Sequence, residues 1–308
     1  MVKFTEEEKY GILTFNDHYV SEDQIAVQKF DELIAEAKQS SCLDALSKHG
    51  FDVNYVTDAR RSTYLGILDI EKSDDVLEIG SSLGQHTHLI AKKCKSLSSI
   101  EVDLQQASFQ KIWCKEEGLR NVRIVAGGLG GRLPYEDASF DFVVFNYVLE
   151  WCAGTSNVDR AAFHQTYLKE IFRVLRPGGT LYLSTKNRFS IRYVLGSMDE
   201  HLGIRFGSAL PRFLQKIFTK RNTFIGYLHS WRGLEHIVAE AGFASSKRIM
   251  AFPDARYSDI VVPLEKFESR LLSAAAISKL PAKTRLSLYF GKNLFRQTSN
   301  SIVLLATK

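Results

Sequence analysis

Two predicted strand ends carry residues of the types that hold a polar ligand. In VLEIGSSLGQHTHLIA an apolar strand contains Glu78, turns through Gly80 and Gly84, and continues directly into a helix. Glycines allow a tight turn and a close approach of the backbone to a ligand, and free N–H groups at a helix start favour a carboxylate or phosphate. Glu78, two residues before Gly80, is placed to accept a hydrogen bond from an amino group above the loop.

A second carboxylate ends the next predicted strand. Glu101 lies 17 residues after Gly84, where its two oxygens can accept both hydroxyls of a ribose. Asp103 is an alternative for this role, because its side chain falls on the same side of an extended chain two residues on. An ordinary solvated strand end is the other interpretation of either carboxylate.

The elements that position these residues alternate between short apolar runs and helical stretches from Asp75 onward, which is typical of strand–helix units around a parallel sheet. The pattern therefore predicts an open, doubly wound α/β sheet. We predict seven strands, at 76–80, 98–102, 122–126, 140–146, 180–185, 246–252 and 301–307. Helices are predicted near 84–94, 105–117, 160–175 and 231–241.

Other segments fall outside this alternation. Residues 1–54 are predicted to form an N-terminal helical cap before a domain over 55–308. In the cap, the capping-box spacing of Ser21 and Gln24 predicts a helix over 22–39, and a second helix is predicted over 43–49. Two stretches of the domain, about 187–230 and 253–300, are predicted to be inserted lid segments that carry substrate specificity.

Composition restricts the class of protein. The chain has 308 residues, of which 45% are hydrophobic and 24% charged, as in a globular protein. No apolar run approaches the roughly 18 residues that a spanning helix needs, and the N-terminus lacks the layout of a secretory signal, so we expect a cytoplasmic protein. The four cysteines are widely spaced without a CxxC pair, and His86 and His88 point to different helix faces, so we assign no metal.

Four segments resemble, in this order, the successive motifs of class I S-adenosylmethionine-dependent methyltransferases. They are VLEIGSSLG, SSIEVD, LPYEDASFDFVVFNYVLEW and YLKEIFRVLRPGGTLYLSTKNR, and the resemblance covers residues 55–190 and EAGF at 240–243. It implies a Rossmann-like, seven-stranded sheet that is parallel except for an antiparallel last strand. It also implies that LRPGG is a structural turn and that S-adenosylmethionine is the cofactor.

The same resemblance assigns roles to individual residues. It implies that Glu78 and Gly80 lie beside the methionine end of the cofactor, that Glu101 binds the ribose, and that the strand end around Asn146 faces the reacting sulfonium. The candidate cofactor-binding residues are Glu78, Gly80, Ser81, Ser82, Gly84, Glu101, Asp103, Gly128, Leu129 and Asn146.

The chain departs from the family pattern at two places. The usual GxGxG loop here has Ser82 as its middle residue, whose side chain either crowds the cofactor or donates a hydrogen bond to it. The family often has an acidic residue after the third strand that accepts from the adenine amino group, whereas no carboxylate lies between Asn121 and Glu136. Backbone groups of Gly128 and Leu129 can meet the adenine edge instead.

Methyl transfer from a sulfonium needs no metal and often no strong base, because the cofactor carries the reactivity. The sequence therefore does not fix a catalytic residue. If the nucleophile is a hydroxyl, His201 and His229 are the candidate bases, since both lie in the insertion 187–230. A surface or core histidine is the alternative interpretation of each.

The same insertion is strongly basic. Residues 186–232 hold nine basic residues against two acidic ones. The periodicity predicts an amphipathic helix with an apolar face (Leu210, Phe213, Leu214, Ile217, Phe218) and a basic face (Arg212, Lys216, Lys220). One interpretation is a lid helix packed on the sheet with a solvated outer face. The other is that residues 210–221 contact a phosphate-bearing or lipid-linked substrate, or an anionic membrane surface.

The expected acceptor is a small molecule or a glycan, methylated at oxygen. NRFSIRYVLG, EAGF and FPDARYSDIVVPL loosely resemble methyltransferases of bacterial glycan and lipid-linked sugar pathways, which ranks this acceptor ahead of a quinone or other lipid. Asn146 lacks the Asn-Pro-Pro-aromatic motif of base methylation, and no RNA-binding module is recognisable, which argues against nucleic acid.

Two other classes of protein are considered. An NAD-dependent oxidoreductase also uses a glycine turn and an acidic ribose ligand, but Glu78 and LRPGG argue against it. A non-catalytic cofactor-binding protein is favoured by Ser82 and by the missing adenine carboxylate. The sequence leaves the oligomeric state open.

Overall fold

The structure is a computed structural model that describes residues 4–7, 10–15, 23–128, 130–152, 159–218, 226–267, 277, 278, 282, 285 and 297–308. The chain forms two compact units. The first comprises Met1–Phe145 with Glu170–Thr180, and the second comprises Asn146–Lys169 with Leu181–Lys308.

Ten strands and nine α-helices have both ends within the described residues. The strands are β1 Thr5–Glu7, β2 Ile12–Thr14, β3 Asp75–Ile79, β4 Ser96–Glu101, β5 Val122–Ala126, β6 Phe140–Asn146, β7 Leu175–Lys186, β8 Ser245–Phe252, β9 Ile260–Pro263 and β10 Ser301–Thr307. The helices are α1 Gln24–Ala37, α2 Cys42–Lys48, α3 Val53–Thr57, α4 Thr87–Ala91, α5 Leu104–Glu116, α6 Arg160–Val174, α7 Ile191–Val194, α8 Arg212–Phe218 and α9 Trp231–Glu240.

The first unit is built on strands in the order β1-β2-β5-β4-β3-β6. The pairs from β2 to β6 are parallel, and β1 is antiparallel to β2. The central strand β3 is buried from Val76 to Ile79, as expected for a strand covered on both faces. Parallel strands end at a common edge, and at this edge Ile79 pairs with Ile100 while Glu101 pairs with Ala126. The loop that begins at Gly80 therefore starts beside Glu101.

Two helices of the predicted cap pack in this unit, although two short strands, β1 and β2, precede them. Apolar side chains of α1, α2 and α5 form one buried cluster that includes Leu33, Leu46 and Phe109. Asp23, whose carboxylate accepts from Ile25 N and Ala26 N, is the N-cap of α1, and Ser21 lies outside the described residues. Because β1 and β2 precede α1, the description of 1–54 as helical is wrong for residues 5–7 and 12–14, and the boundary at 54 stays a prediction.

The second unit contains β7 from Leu181 onward and strands β8, β9 and β10. Their order is β7-β10-β8-β9, with β10 antiparallel to β8 and β8 antiparallel to β9. Helix α9 packs on β8 and β10 and is capped by Ser230, whose hydroxyl accepts from Gly233 N. The predicted antiparallel last strand is confirmed. Within the described residues, no helix combines the length and the apolarity that crossing a bilayer would require.

All seven predicted strands are present, and three more accompany them. The additional strands β1, β2 and β9 have three or four residues each, too few for a recognisable alternation. The prediction that LRPGG is a separate turn is wrong, because β7 begins at Leu175 directly after α6. Gly178 takes φ +80° inside the strand, so the chain changes direction there without leaving the sheet.

Candidate active site

The loop after β3 requires left-handed backbone at three positions. Gly80, Ser82 and Gly84 have φ values of +73°, +52° and +91°, a region that glycine enters freely and other residues enter at a cost. Gly84 is also constrained by packing, since a Cβ at this position would lie 2.7 Å from Gln110 Cγ. The two predicted glycines are thus required by backbone conformation, whereas Ser82 is strained.

Glu78 lies beneath this loop within a buried hydrogen-bond network. Its Oε2 accepts from Thr87 Oγ1 at 2.5 Å and from Ser99 Oγ at 3.3 Å. Gln110 Nε2 donates to the same two hydroxyls, and Gln110 Oε1 accepts from Ser81 Oγ at 3.2 Å. Within the described part of the chain, Glu78 Oε1 has no hydrogen-bond partner. Burial raises the pKa of Glu78 to about 7.

Glu101 and Asp103, the two candidates for the ribose, differ in what they contact. Glu101 is buried at the end of β4, where Oε2 accepts from Ser82 N at 2.6 Å and Oε1 from Asp103 N at 3.1 Å. Burial raises the pKa of Glu101 to about 7. Asp103 is the N-cap of α5, and its Oδ1 accepts from Gln105 N and Gln106 N, both at 2.9 Å. Only Glu101 is bonded to the glycine loop.

The remaining predicted cofactor residues are placed as follows. The Ser82 hydroxyl donates to Gln106 Oε1 at 2.8 Å, so it is directed at α5. Gly128 takes φ +91° after β5, and Leu129 lies outside the described residues. Asn146 is the last residue of β6, and its Oδ1 accepts from the Ser184 hydroxyl. The roles of these residues toward adenine and sulfonium stay predictions.

The two histidines proposed as bases have different surroundings in the second unit. His201 is buried beside Asp199, with Nδ1 at 3.1 Å from Asp199 Oδ1 and the ring 4.6 Å from that of Trp151. Its Nε2 has no partner among the described residues. His229 Nε2, in contrast, lies 2.9 Å from His164 Nδ1. Only His201 has the arrangement of an imidazole that a carboxylate orients.

The fold agrees with the comparisons. Residues 77–183 match a family model described as "Methyltransferase domain". An S-adenosylmethionine-dependent methyltransferase from Mesorhizobium loti superposes with a TM-score of 0.53 at 11% identity, over 82% of this chain and 100% of that chain. Residues 77–183 are therefore a methyltransferase domain, with S-adenosylmethionine as its cofactor.

The relatives of the methyltransferase domain are named for different methyl acceptors. A malonyl-[acyl-carrier protein] O-methyltransferase from Marinomonas sp. (strain MWYL1) is 27% identical over 143 residues, which are 46% of this chain and 47% of the relative. A demethylmenaquinone methyltransferase from Tropheryma whipplei (strain Twist) is 25% identical over 154 residues, 46% of this chain and 59% of the relative. The chain spans about half the length of the curated relatives that it matches first.

The loop of the methyltransferase domain offers groups that fit the charges of S-adenosylmethionine. The free Glu78 Oε1 fits an ammonium group, and each oxygen of Glu101 has a lone pair left for a ribose hydroxyl. Gln85 Oε1 and His86 Nδ1, which follow the loop, are buried and lack a partner within the described residues. Burial lowers the pKa of His86 to about 3, so its ring is neutral.

Arg61 near this loop was missed by sequence reasoning. It is buried in the 3₁₀ helix Ala59–Gly66, and its guanidinium lies 3.8 Å from the centre of the Tyr55 ring. Its charge, after burial, helps to lower the pKa of His86, and the Tyr64 ring lies 5.4 Å from that of His86. The only available signal was a basic pair in ARRSTYLG, before the first predicted strand.

Tyr147 is a second missed residue, placed immediately after β6. It takes φ +58°, held by its N–H bond to Ser184 O at 3.0 Å. Its hydroxyl donates to Asp254 Oδ1 at 2.6 Å and contacts Ser301 Oγ, and Lys186 Nζ lies 3.8 Å from Asp254 Oδ2. A non-glycine residue with this strain marks a position that the surrounding structure over-determines.

The interpretation that the apolar face of the basic helix packs on the protein is wrong for Phe213 and Ile217. Helix α8 leaves Phe213 and Ile217 67% and 69% exposed, although both were expected on its packed face. Gln215 is buried instead, because its Nε2 donates to the carbonyls of Gly207, Ser208 and Leu210. Arg212 turns inward and stacks on the Tyr227 ring at 3.8 Å. Of the predicted membrane-contacting range 210–221, residues 219–221 lie outside the described residues.

Proposed function

We propose that this chain transfers a methyl group from S-adenosylmethionine to an oxygen atom of a small-molecule or glycan-type acceptor. The observation that carries the proposal is the pair of buried carboxylates, Glu78 and Glu101, at the carboxyl edge of β3 and β4. Glu78 lies two residues before Gly80 in the strand that leads into the glycine loop, Glu101 accepts from Ser82 N of that loop, and each carboxylate retains acceptor capacity. Such a pair suits a ligand that carries both an ammonium group and a diol.

In this proposal Glu78, Glu101 and Arg61 each contact a different part of the cofactor. Glu78 Oε1 accepts from the ammonium group, and Glu101 accepts from the ribose hydroxyls while its bond to Ser82 N keeps the loop in place. Arg61 supplies a positive charge for the carboxylate of the methionine portion. When bound, S-adenosylmethionine supplies the methyl group and a sulfur that leaves as a neutral thioether.

His201 is proposed as the general base for an acceptor hydroxyl. Asp199 accepts from His201 Nδ1–H at 3.1 Å, which leaves Nε2 with a lone pair. That lone pair takes the hydroxyl proton as the oxygen attacks the methyl carbon, and Asp199 stabilises the resulting imidazolium. His229 is not proposed for this role, because its Nε2 is already bonded to His164.

The names of relatives support oxygen as the acceptor atom without identifying the acceptor. The malonyl-[acyl-carrier protein] relative from Marinomonas is named an O-methyltransferase. The second candidate is a quinone or other lipid acceptor. It is favoured by the exposed apolar side chains of Phe206, Phe213 and Ile217 and by the demethylmenaquinone relative.

Two measurements test the proposal. Calorimetric titration with S-adenosylhomocysteine should show binding, and titration with NADH should not. Binding of NADH without binding of S-adenosylhomocysteine would indicate an oxidoreductase instead. Incubation of a cell extract with methyl-labelled S-adenosylmethionine, followed by mass spectrometry, should then reveal a methylated oxygen. Binding without any labelled product would support a non-catalytic cofactor-binding protein.

A further inference from the structure

Four basic side chains of the second unit lie together. Arg188 and Arg212 are half-buried, and His164 and His229 are buried. Within the described residues, these four side chains form hydrogen bonds with carbonyls, with an amide, with the Tyr227 hydroxyl and with one another, and none with a carboxylate. Two positive charges taken partly out of water destabilise a fold unless a counter-charge accompanies them.

Hydrogen bonds hold the two guanidinium groups next to each other. Arg188 donates from Nε to Ser208 O at 2.7 Å and also to Leu210 O. Gln215 Nε2 donates to both of these carbonyls at 3.1 Å, and its Oε1 accepts from Arg212 Nη1 at 3.1 Å. The two arginines are therefore joined through one buried amide. Within the described residues, their hydrogen bonds use fewer than the five N–H donors that each guanidinium group carries.

The two histidines complete the group on its other side. Arg212 stacks on Tyr227, whose ring centre lies 5.5 Å from that of His164 and 5.0 Å from that of His229. Arg188 N donates to His229 O at 2.9 Å. The buried Nε2 of His164 has no hydrogen-bond partner in the described part of the chain. An unsatisfied buried nitrogen near the Arg212 guanidinium indicates a site that a ligand completes.

Burial and the neighbouring positive charges lower the pKa values of His164, His229 and Arg212. Burial, followed by the charges of Arg212 and Arg160, lowers the pKa of His164 to about 4. Burial and then His164 and the two arginines hold the pKa of His229 well below its usual range. Burial, opposed by Tyr227 and reinforced by Arg188, lowers the pKa of Arg212 to about 10. At neutral pH both histidines are thus neutral and both arginines are charged.

We propose that Arg188, Arg212 and the His164–His229 pair bind a phosphoryl group of the acceptor, an inference that rests on the proposed methyl transfer. A phosphate monoester carries a charge of about −2 at neutral pH, which matches the two guanidinium groups. Its tetrahedral oxygens accept from guanidinium forks that approach from different directions. A single carboxylate would leave one arginine uncompensated.

Inorganic phosphate is the probe for this site, measured against sodium chloride at equal ionic strength. We expect phosphate to raise the thermal midpoint of the wild-type protein and to give a saturable calorimetric signal. Arg188→Gln and Arg212→Gln should each weaken phosphate binding roughly tenfold or more, since each removes a charge-assisted pair. Arg232→Gln, which removes an equal charge from an exposed position of the same unit, should bind phosphate as the wild type does.

Separate controls distinguish a loss of folding from a loss of phosphate binding. Both arginines donate to backbone carbonyls, so each variant is first tested for S-adenosylhomocysteine affinity, which should stay within about threefold of wild type. If Arg212→Gln does not fold, Arg212→Lys replaces it, because lysine keeps the charge. Arg212→Lys should bind phosphate better than Arg212→Gln. Equal effects of phosphate and chloride on the wild-type protein would overturn the site. Phosphatase treatment of a cell extract should abolish methyl labelling, and unchanged labelling would overturn the phosphorylated acceptor while leaving methyl transfer intact.

Discussion

The Ser82 N–H donates to Glu101 Oε2 at 2.6 Å, joining the glycine loop after β3 to the end of β4. The second oxygen of Glu101 accepts from Asp103 N at 3.1 Å. The carboxylate thus organises both the loop and the turn into α5, and it retains further lone pairs. A change in Glu101 is therefore expected to affect the shape of the loop as well as ligand binding.

Glu101→Ala should weaken binding of S-adenosylhomocysteine by about 100-fold, because charge-assisted hydrogen bonds contribute roughly 1.5–3 kcal/mol each. Asp103→Ala is the matched control. It should lower the free energy of unfolding by about 1 kcal/mol through loss of the α5 cap, yet change the affinity less than about threefold. Calorimetry and urea unfolding measure the two effects. If Asp103→Ala had the larger effect on affinity, the ribose assignment would move to Asp103.

Ser82 permits a test of the strained position in the loop. Ser82→Gly removes a left-handed conformation that costs about 1 kcal/mol, and it loses a hydrogen bond to Gln106 of about the same value. We expect almost no net change in urea-unfolding stability, whereas Ser82→Ala should destabilise by about 1 kcal/mol because it keeps the strain. S-adenosylhomocysteine should bind both variants like wild type. A weakening of tenfold or more in both would show that the Ser82 hydroxyl contacts the cofactor.

Much of the first unit was predictable from sequence. The buried parallel strands β3 to β6 read as apolar runs, and Gly80 and Gly84 mark the turn that their φ values require. The network around Gln110 was not predictable, because it joins Ser81 and Ser99 through an amide on α5. Nothing in the local pattern of a helix reveals which of its polar side chains is buried.

In the second unit, the periodicity of apolar residues gave a wrong prediction. Apolar periodicity predicted that Phe213 and Ile217 would face the protein, yet both are exposed. The carbonyls at the end of the 3₁₀ helix Gly207–Ala209 need a donor, and Gln215 supplies it. In a helix of only seven residues, the need to satisfy buried carbonyls decides the face, and periodicity of apolar residues does not.

The two raised carboxyl pKa values predict a pH-dependent stability of the ligand-free protein. Glu78 and Glu101 have folded pKa values of about 7 against a usual value of 4.5. Between these pH values the folded state binds more protons than the unfolded state, so the free energy of unfolding falls as pH rises from about 4.5 to 7. Glu78→Gln should remove part of this slope and raise the thermal midpoint at pH 8. A thermal midpoint that rises with pH in the wild type and is unchanged by Glu78→Gln would contradict the buried carboxylates.

Cofactor binding should show the opposite pH dependence. The ammonium group needs an ionised carboxylate, so the affinity for S-adenosylhomocysteine should increase as pH rises through about 7. The increase is expected to be smaller in Glu78→Gln, which should bind more weakly at pH 8 while being more stable. Calorimetry at several pH values measures this. Equal pH dependence in wild type and variant would remove Glu78 from the site.

The His201–Asp199 pair gives the test of the proposed base. Once a substrate is known, His201→Gln should reduce kcat by about 100-fold or more, as for loss of a general base, without changing S-adenosylhomocysteine affinity. Asp199→Asn should reduce kcat as well, because Nδ1 loses the carboxylate that orients it. His236→Gln is the control, since His236 is an exposed histidine of the same unit that also pairs with a carboxylate, Glu240. If kcat were unaffected, His201 would be a buried structural residue, and methyl transfer would proceed by alignment of the acceptor alone.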